Sequence, residues 1–346
     1  MRSQSLLRAA LAVAWIAAPV SSQTSSTCNP LTSGSCPADT ALGKAVTIDF
    51  TAGQSDSFTT QGSPTYDSNG ASFTVAKSGD SPLIESKWYI MFGHVEFVLK
   101  AAPGVGIVSS AILQSDDLDE IDFEWLGYDD NNVQSNYFGK GLTTTYNRGV
   151  SSPAPGNHDG FHTYAIDWTA DQIVWSVNGA TVRTLTPAAT NGYPYPQTPM
   201  MIKVGAWSGG DSSNPVGTQQ WATGQTGVTT NYASGPYTMQ LKSIAVTDYS
   251  TGSQYTYSGT EGTWQSITAF EGVLCIPAKC RRMDSNDDAD KYTSHSDNLP
   301  GFASWLDGDK LWQSRSAECG IYHIPARFAY LVAGGLAAGF SCGWWF

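Results

Sequence analysis

The feature that most constrains this fold is a long succession of short apolar or alternating segments, separated by turn residues, from Ala45 to about Ser266. The segments read AVTIDF, ASFTVA, HVEFVLKA, IVSSAILQ, VQSNYFG, HTYAIDW, IVWSVNGATVRTL, MIKVGAW and TMQLKSIAVTDY. Such segments are typical of strands, because successive side chains of a strand point to opposite faces. Asn178 and Gly179, within WSVNGATV, predict a hairpin with a type I′ turn. The pattern predicts an all-β protein, an antiparallel sandwich or jelly roll.

The stretch SDDLDEIDFEWLG, residues 115–127, alternates acidic and apolar side chains. A strand here would send Ile121, Phe123 and Trp125 into a core. Its other face would carry three carboxylates: Glu120, Asp122 and Glu124. Like charges this close repel, so the row is unfavourable for folding unless hydrogen bonds or shared protons relieve it. The alternatives are a solvated strand face and a site for chemistry.

Paired carboxylates are what the cleavage of a glycosidic bond requires. One protonates the leaving oxygen, and the other attacks or stabilises the anomeric carbon; in a retaining mechanism they are about 5–5.5 Å apart. The backbones of Glu120 and Glu124 would be roughly 13 Å apart along a strand, so their side chains must lean together on a twisted sheet. Asp122 lies between them and can hydrogen-bond one Glu, separating the two pKa values. These residues alone leave open which Glu is the acid.

The charge balance argues against a nucleic-acid partner. The chain of 346 residues has 18 Lys and Arg against 30 Asp and Glu, a net charge of −12. Neutralising phosphates needs a basic surface, which this composition does not supply. An uncharged polymer suits the chain better, and neither Cys spacing nor His supply suggests a zinc site. No cofactor is expected and no metal ligand is assigned, while a structural calcium stays an open question.

The N-terminal residues 1–22 predict a secretory signal peptide, because Arg2 and Arg8 precede an apolar run that ends in small residues. Secretion allows the six Cys to pair. Cys28 and Cys36 bracket a short loop and are the first expected disulfide; Cys275 and Cys280 are the second. The pairing of Cys319 and Cys342 stays open.

The C-terminal part changes character after residue 270. Residues 271–327 read as a polar linker that we expect to be disordered, since they are polar and lack periodicity. Residues 328–346 form an uncharged hydrophobic tail. This tail fits a GPI-attachment signal or a single membrane span, and a frame error in the gene is a third interpretation. Attachment of the protein to a membrane would depend on this tail.

Five blocks, in order, carry a resemblance to a known family. They are KAAPGVGIVSSAILQSDDLDEIDFEWLG, VQSNYFGKG, FHTYAIDWT, YPQTPMMIKVGAWSGGD and GPYTMQLKSIAVTDY. DEIDFEWLG resembles the DExDxE strand of glycoside hydrolase family 16, and the surrounding blocks resemble its fungal Crh-type cell-wall transglycosylases. The resemblance covers roughly residues 28–270, so residues 23–270 are identified as the catalytic domain.

The resemblance implies a concanavalin-like β-jelly roll whose concave sheet binds a linear polysaccharide. It also implies retaining catalysis, with Glu120 as nucleophile, Asp122 as its assistant and Glu124 as general acid/base. The expected reaction cleaves chitin and transfers the fragment to β-glucan or chitin, which cross-links the fungal wall. The enzyme would be secreted, act as a monomer, and work at the cell wall or the outer face of the plasma membrane.

Further residues are candidates for binding sugar. Gln134, Asn136 and Phe138 share one face of the strand after the acidic one, and offer amides and a flat ring; an ordinary cross-strand ladder is the alternative. Trp207 and Trp221 lie in turn-rich segments where their rings could stack on a pyranose. Lys203 shares a strand face with Trp207, and its assignment depends mainly on the resemblance.

Two other function classes remain open. A hydrolytic β-glucanase or chitinase differs from a transferase only in what attacks the glycosyl-enzyme, and the sequence does not reveal access of water to it. A non-catalytic wall-binding lectin on the same sandwich is the second, although a lectin has no need of three aligned carboxylates. A Ser/His/Asp hydrolase is disfavoured by the lack of G-x-S-x-G. His162, Trp168 and Trp175 are expected to be structural.

Overall fold

The computed structural model describes residues 26–275. Strands β1 to β18 are, in chain order, Asp39–Thr40, Ala45–Asp49, Phe58–Gln61, Thr65–Asp67, Gly70–Val75, Leu83–Ser86, Gly93–Lys100, Ile107–Ser115, Glu120–Leu126, Asn132–Phe138, Val150–Pro153, His162–Trp168, Ile173–Val177, Ala180–Leu185, Met200–Ser208, Tyr237–Asp248, Gln254–Tyr257 and Ile267–Phe270. The α-helices are α1 (Pro30–Ser33) and α2 (Val216–Thr223), and short 3₁₀ helices cover Phe50–Ala52, Pro187–Thr190, Tyr232–Ser234 and Trp264–Ser266.

Two antiparallel sheets form the sandwich. The seven-stranded sheet has the order β11-β10-β9-β8-β15-β6-β3, which places the acidic strand β9 near its middle. The eight-stranded sheet has the order β14-β13-β12-β7-β16-β5-β4, with β2 also paired to β16. A small third sheet has the order β1-β17-β18. The predicted all-β jelly-roll sandwich is confirmed.

The core between the two large sheets follows from the period-two alternation of their strands. Every second residue of β9 is completely buried, including Phe123 and Trp125. The Trp125 ring packs edge-on against Tyr164 from β12 of the eight-stranded sheet, with 4.6 Å between ring centroids. Removing apolar side chains from water on both inner faces is the main favourable term for such a sandwich. The acidic face of β9 is thereby directed away from the core.

Local predictions from turn and cysteine spacing are also confirmed. Asn178 and Gly179 both have positive φ, +50° and +81°, as a type I′ turn between β13 and β14 requires. Cys28 and Cys36 form a disulfide across the segment that contains α1. Cys275 is the last described residue, and its expected partner Cys280 lies outside the described part.

The terminal segments predicted from sequence fall outside the described residues: the signal peptide, almost all of the polar linker, the hydrophobic tail, Cys319 and Cys342. Within residues 26–275, none of the helices combines the length and hydrophobicity that a membrane span requires. The boundaries of the domains stay predictions.

Candidate active site

The acidic strand lies where its neighbours can support it from both sides. β9 pairs with β8 and with β10, so Glu120, Asp122 and Glu124 face outward between two further rows of side chains. On β8 the opposing residues are Gln114, Ile112 and Ser110, and on β10 they are Phe138, Asn136 and Gln134. Glu120 and Asp122 are only 3% and 1% exposed, whereas Glu124 is half-buried. The solvated-face interpretation is therefore wrong for two of the three carboxyls.

Two buried polar atoms beside the acidic row, Gln114 Nε2 and Asn136 Oδ1, lack a hydrogen-bond partner within the described residues. The buried carboxyls of Glu120 and Asp122 lie between them and bond to each other. Leaving buried polar groups unpaired costs about 1–3 kcal/mol each, so native proteins seldom collect them without a functional reason. Together these atoms form a polar floor that a hydroxyl- and amide-rich ligand could satisfy.

The two buried carboxyls influence each other's ionisation. Burial, and then repulsion from Glu124, raises the pKa of Glu120. Burial, and then repulsion from Glu120, raises the pKa of Asp122 well above its ordinary value. A hydrogen bond between the two carboxyls lowers the pKa of Glu120 and raises that of Asp122. Asp122 is therefore the member of the pair that keeps the proton, and Glu120 is the one that ionises first.

Glu124 is connected to an aromatic wall. Ser110 Oγ donates to Glu124 Oε1 at 3.4 Å, and Trp207 Nε1 donates to Ser110 Oγ at 3.4 Å. The Trp207 ring lies 6.2 Å from that of Trp221, at an interplanar angle of 34°. Trp221 Nε1 in turn donates to Gln134 Oε1 at 2.9 Å. Two tilted indole rings therefore stand beside the more accessible carboxyl, as a platform for sugar rings would.

A groove lies over β8, β15, β6 and β3, on the side of β8 away from the acidic strand. It has a volume of about 120 Å³, and its lining includes Gln61, Glu85, Ser110, Lys203 and Trp207. Lys203 Nζ donates to Gln114 Oε1 at 2.7 Å and lies 3.2 Å from Glu85 Oε2. A groove bounded by one ring and several hydrogen-bonding groups fits a linear, uncharged polymer better than a compact ion.

Comparison with known proteins agrees with this arrangement. Residues 51–234 match glycosyl hydrolases family 16, a span of more than half the chain. This chain belongs to glycosyl hydrolase family 16. This chain is 56% identical over 297 residues to Crh-like protein 4 of Aspergillus fumigatus. The match covers 86% of this chain and 65% of that protein. It is also 56% identical over 280 residues to Crh-like protein 4 of Botryotinia fuckeliana, covering 80% of this chain and 73% of that protein.

The structure of this family 16 chain is similar to that of Crh5 transglycosylase in complex with NAG. The two are 49% identical with a TM-score of 0.67, and the match covers 70% of this chain and 99% of that one. The chain thus spans a complete Crh5 structure but only about two thirds of the length of the Aspergillus relative. Family and fold, as the sequence predicted them, are confirmed.

The predicted sugar-binding residues divide into two groups by position. Gln134, Lys203, Trp207 and Trp221 lie around the polar floor or its groove, although Trp221 lies on helix α2 rather than in a turn. Asn136 opposes Asp122 on the same face. Phe138 opposes Glu120 but is only 8% exposed, because its ring covers the guanidinium of Arg148 at 4.4 Å. Their roles in binding stay predictions.

The residues expected to be structural have structural partners. Trp168 Nε1 donates to the carbonyl of Pro196 at 3.0 Å, and His162 Nε2 lies 3.1 Å from the carbonyl of Gly156. Trp175 Nε1 donates to the carbonyl of Asp122 at 3.1 Å across the core. Trp175 therefore helps to position the acidic strand from behind.

Sequence reasoning missed Gln114, Ser110 and Glu85. A signal was present for the first two, since Ser110 and Gln114 interrupt the otherwise apolar outward face of IVSSAILQ at a period of two. Glu85 gave no such signal, because it enters the groove only through the pairing of β6 with β15. That pairing joins segments more than 110 residues apart in sequence, and a local sequence pattern cannot predict such a contact.

The turn before β9 is held by a buried ionic cluster. Lys140 Nζ lies 2.8 Å from Asp117 Oδ2 and 2.6 Å from Asp119 Oδ2, and the Thr198 hydroxyl lies within hydrogen-bond distance of both carboxylates, at 2.7 and 2.8 Å. Burial raises the pKa of Asp119 to about 6, which still leaves it mainly ionised at neutral pH. Because Asp119 directly precedes Glu120, this cluster fixes where the acidic strand begins.

Replacing Lys140 with Met should lower the free energy of unfolding by about 2 kcal/mol at pH 7, because two buried carboxylates lose their cation. The pKa of Asp119 is raised in the folded state, so its ionisation costs stability as pH rises from 3.8 to about 6 and beyond. The penalty of Lys140→Met should therefore shrink at pH 4, where Asp119 is protonated. Urea unfolding at the two pH values measures it, and an equal loss at both would contradict this assignment.

Proposed function

We propose that this chain is a secreted retaining transglycosylase that cleaves chitin and transfers the fragment to β-glucan or chitin, cross-linking the fungal cell wall. The observation that carries the proposal is the row of Glu120, Asp122 and Glu124 on a buried polar floor beside a groove. The Crh-like relatives, and a similar structure described as a transglycosylase in complex with NAG, support it. NAG is the sugar unit of chitin, which favours chitin as the donor.

In the first half of the reaction, ionised Glu120 attacks the anomeric carbon and a carbon–oxygen bond to the enzyme forms. The glycosidic bond breaks as Glu124 delivers its proton to the leaving oxygen. Asp122 keeps its proton and donates a hydrogen bond to Glu120, which holds the attacking carboxylate in position. Glu124 suits the acid role because it is the more accessible carboxyl and lies nearest the two Trp rings.

In the second half, a hydroxyl of the acceptor sugar loses its proton to Glu124 and attacks the same anomeric carbon, releasing Glu120. Water in place of the acceptor would give hydrolysis. Trp207 and Trp221 flank this position, and their rings favour a sugar over water there. The configuration of the anomeric carbon is retained after two displacements.

The deciding experiment incubates the purified full chain with a chitin oligosaccharide and a fluorescent β-1,3-glucan oligosaccharide, followed by mass analysis of the labelled products. A hybrid of the two sugars supports the proposal. Shortened products alone would replace it with a hydrolase, and retention of sugar without turnover would replace it with a lectin. The chitin oligosaccharide alone shows whether chitin can also serve as acceptor.

A further inference from the structure

Arg183, on β14 of the eight-stranded sheet, reaches across to the seven-stranded sheet. Its Nη1 donates to the carbonyl of Ser135 on β10 at 2.7 Å, and its Nη2 donates to the carbonyl of Arg148 at 2.9 Å. β10 is the strand that pairs with β9. The guanidinium therefore joins the two sheets beside the acidic strand.

The same guanidinium stacks on the residue that holds the acidic strand from behind. Its carbon lies 4.6 Å from the centroid of the Trp175 ring. Trp175 Nε1 donates to the carbonyl of Asp122. The chain of contacts from Arg183 to the backbone of Asp122 thus contains a single side chain, and the stacking restricts how Trp175 can move.

The positive charge of Arg183 is not neutralised by a direct ion pair within residues 26–275. A partly buried charge without a counter-ion is costly, so it is usually retained for a reason. The acid whose charge acts on Arg183 is Asp122, on the outer face of the neighbouring sheet. The guanidinium therefore favours the ionised form of Asp122, and burial opposes that effect.

Few other charges face Asp122. On its own strand these are Glu120 and Glu124. The opposing residues of β8 and β10 are uncharged: Ile112, Ser110, Gln114, Asn136, Gln134 and Phe138. From β15 comes Lys203, which lies 3.2 Å from Glu85 of β6 and also lowers the pKa of Glu120. Arg183 is therefore a cation on the core side of the acidic row, and within residues 26–275 it forms no ion pair with a carboxylate.

We propose that Arg183 is a positioning residue for the reaction: it holds Trp175 against the backbone of Asp122 and places a positive charge on the core side of the acidic row. This inference deepens the proposed function and rests on it. Arg183 touches neither substrate nor the reacting atoms, and acts only through Trp175 and through its charge.

The effect of the charge has a definite sign. A nearby cation favours the ionised form of a carboxyl, and Arg183 lowers the pKa of Asp122 against the opposing effect of burial. Glu120 and Asp122 share a proton and titrate as a pair. Loss of the cation should therefore raise the pH at which the pair loses its first proton. Activity that requires ionised Glu120 would then begin at higher pH.

The test compares the pH dependence of kcat/KM for the full chain and for Arg183→Met. On the acidic limb of this profile, kcat/KM rises with pH as the carboxyl pair loses its first proton. We expect this limb to move to higher pH by roughly half a unit to one unit. The shift is smaller than the ~1–3 units by which a charge in direct contact changes a pKa. On that limb the variant should be about 3- to 10-fold slower than the unaltered chain at the same pH. Arg183→Lys keeps the charge, so its limb should stay near the original position even where its stability is lower.

A matched control is Arg148→Met. Arg148 is also a buried arginine, stacked between Phe138 and Tyr193 and donating to backbone carbonyls. Its loss should lower stability without moving the acidic limb. If Arg183→Met folds and its limb stays in place, or moves no more than that of Arg148→Met, the inference is wrong. If Arg183→Met does not fold, Arg183→Gln, which keeps a donor but carries no charge, decides in the same way.

A second readout separates this inference from the proposed function. Titration of the ¹³C-labelled carboxyl signals of Asp122 and Glu120 measures their ionisation without turnover. A higher titration midpoint in Arg183→Met than in the unaltered chain supports the inference, and equal midpoints overturn it. A complete lack of product from the unaltered chain would instead count against the proposed function.

Discussion

Replacing Glu120 with Gln should lower the rate of product formation by on the order of 10⁴-fold or more, because the amide cannot form the glycosyl-enzyme. The change keeps the size of the side chain and removes one of the two buried carboxyls that repel each other, so the fold should be retained. The measurement is the initial rate of hybrid product from the two oligosaccharides. Sugar binding, followed by tryptophan fluorescence, should persist since Trp207 and Trp221 are unchanged.

Azide gives a sharper version of the same experiment. If Glu120 is the nucleophile, azide should partly rescue a small variant such as Glu120→Ala with an activated donor, and the glycosyl azide should have inverted configuration, since only one displacement has occurred. The matched variant Glu124→Ala should give an azide product of retained configuration. Retained configuration from Glu120→Ala would exchange the two roles, and undiminished turnover by Glu120→Gln would refute the assigned chemistry.

Replacing Trp125 with Ala should lower the free energy of unfolding by about 3–5 kcal/mol. Trp125 is completely buried, packed against Phe123 and Tyr164, and the structure can fill only part of the cavity that its ring would leave. It lies one position from Glu124 but on the opposite face of β9. Equilibrium unfolding in guanidinium measures the loss, which is a large share of the stability of a typical domain.

The matched control is Trp207→Ala, the same change at a half-buried ring on the outer face of the sheet. Its cost in stability should be about 1 kcal/mol or less, because that surface is already near solvent. Its effect should appear instead as weaker binding of oligosaccharide. Equal destabilisation by the two substitutions would mean that Trp207 is a core residue, and would remove it from the proposed site.

The alternation of β9 made the acidic face predictable, because a period of two determines which side chains share a face. The same reasoning placed Ile121, Phe123 and Trp125 in the core. The disulfide between Cys28 and Cys36 followed from close spacing, and the hairpin at Asn178 followed from the backbone conformation that its turn requires. Each of these features depends on residues close together in the chain.

Other parts of the site depend on which strands become neighbours. Glu85 reaches Lys203 because β6 pairs with β15, and Arg183 reaches Trp175 and β10 because the two sheets stack. Neither contact has a local sequence signal. The sequence also could not reveal that Phe138 would cover Arg148 instead of standing open beside Glu120. The order of strands within a sheet and the packing of one sheet on the other depend on the whole chain.

The unpaired polar atoms of the floor set a trade-off between the stability of the protein and its activity. Gln114 and Asn136 hold an unpaired group ready for a ligand in every folded molecule, so the protein bears the desolvation cost even when nothing is bound. Apolar side chains of similar shape at these positions would give a more stable sandwich and a poorer catalyst. A search for heat-resistant variants that selects on folding alone should therefore accumulate substitutions at this floor first and lose activity with them.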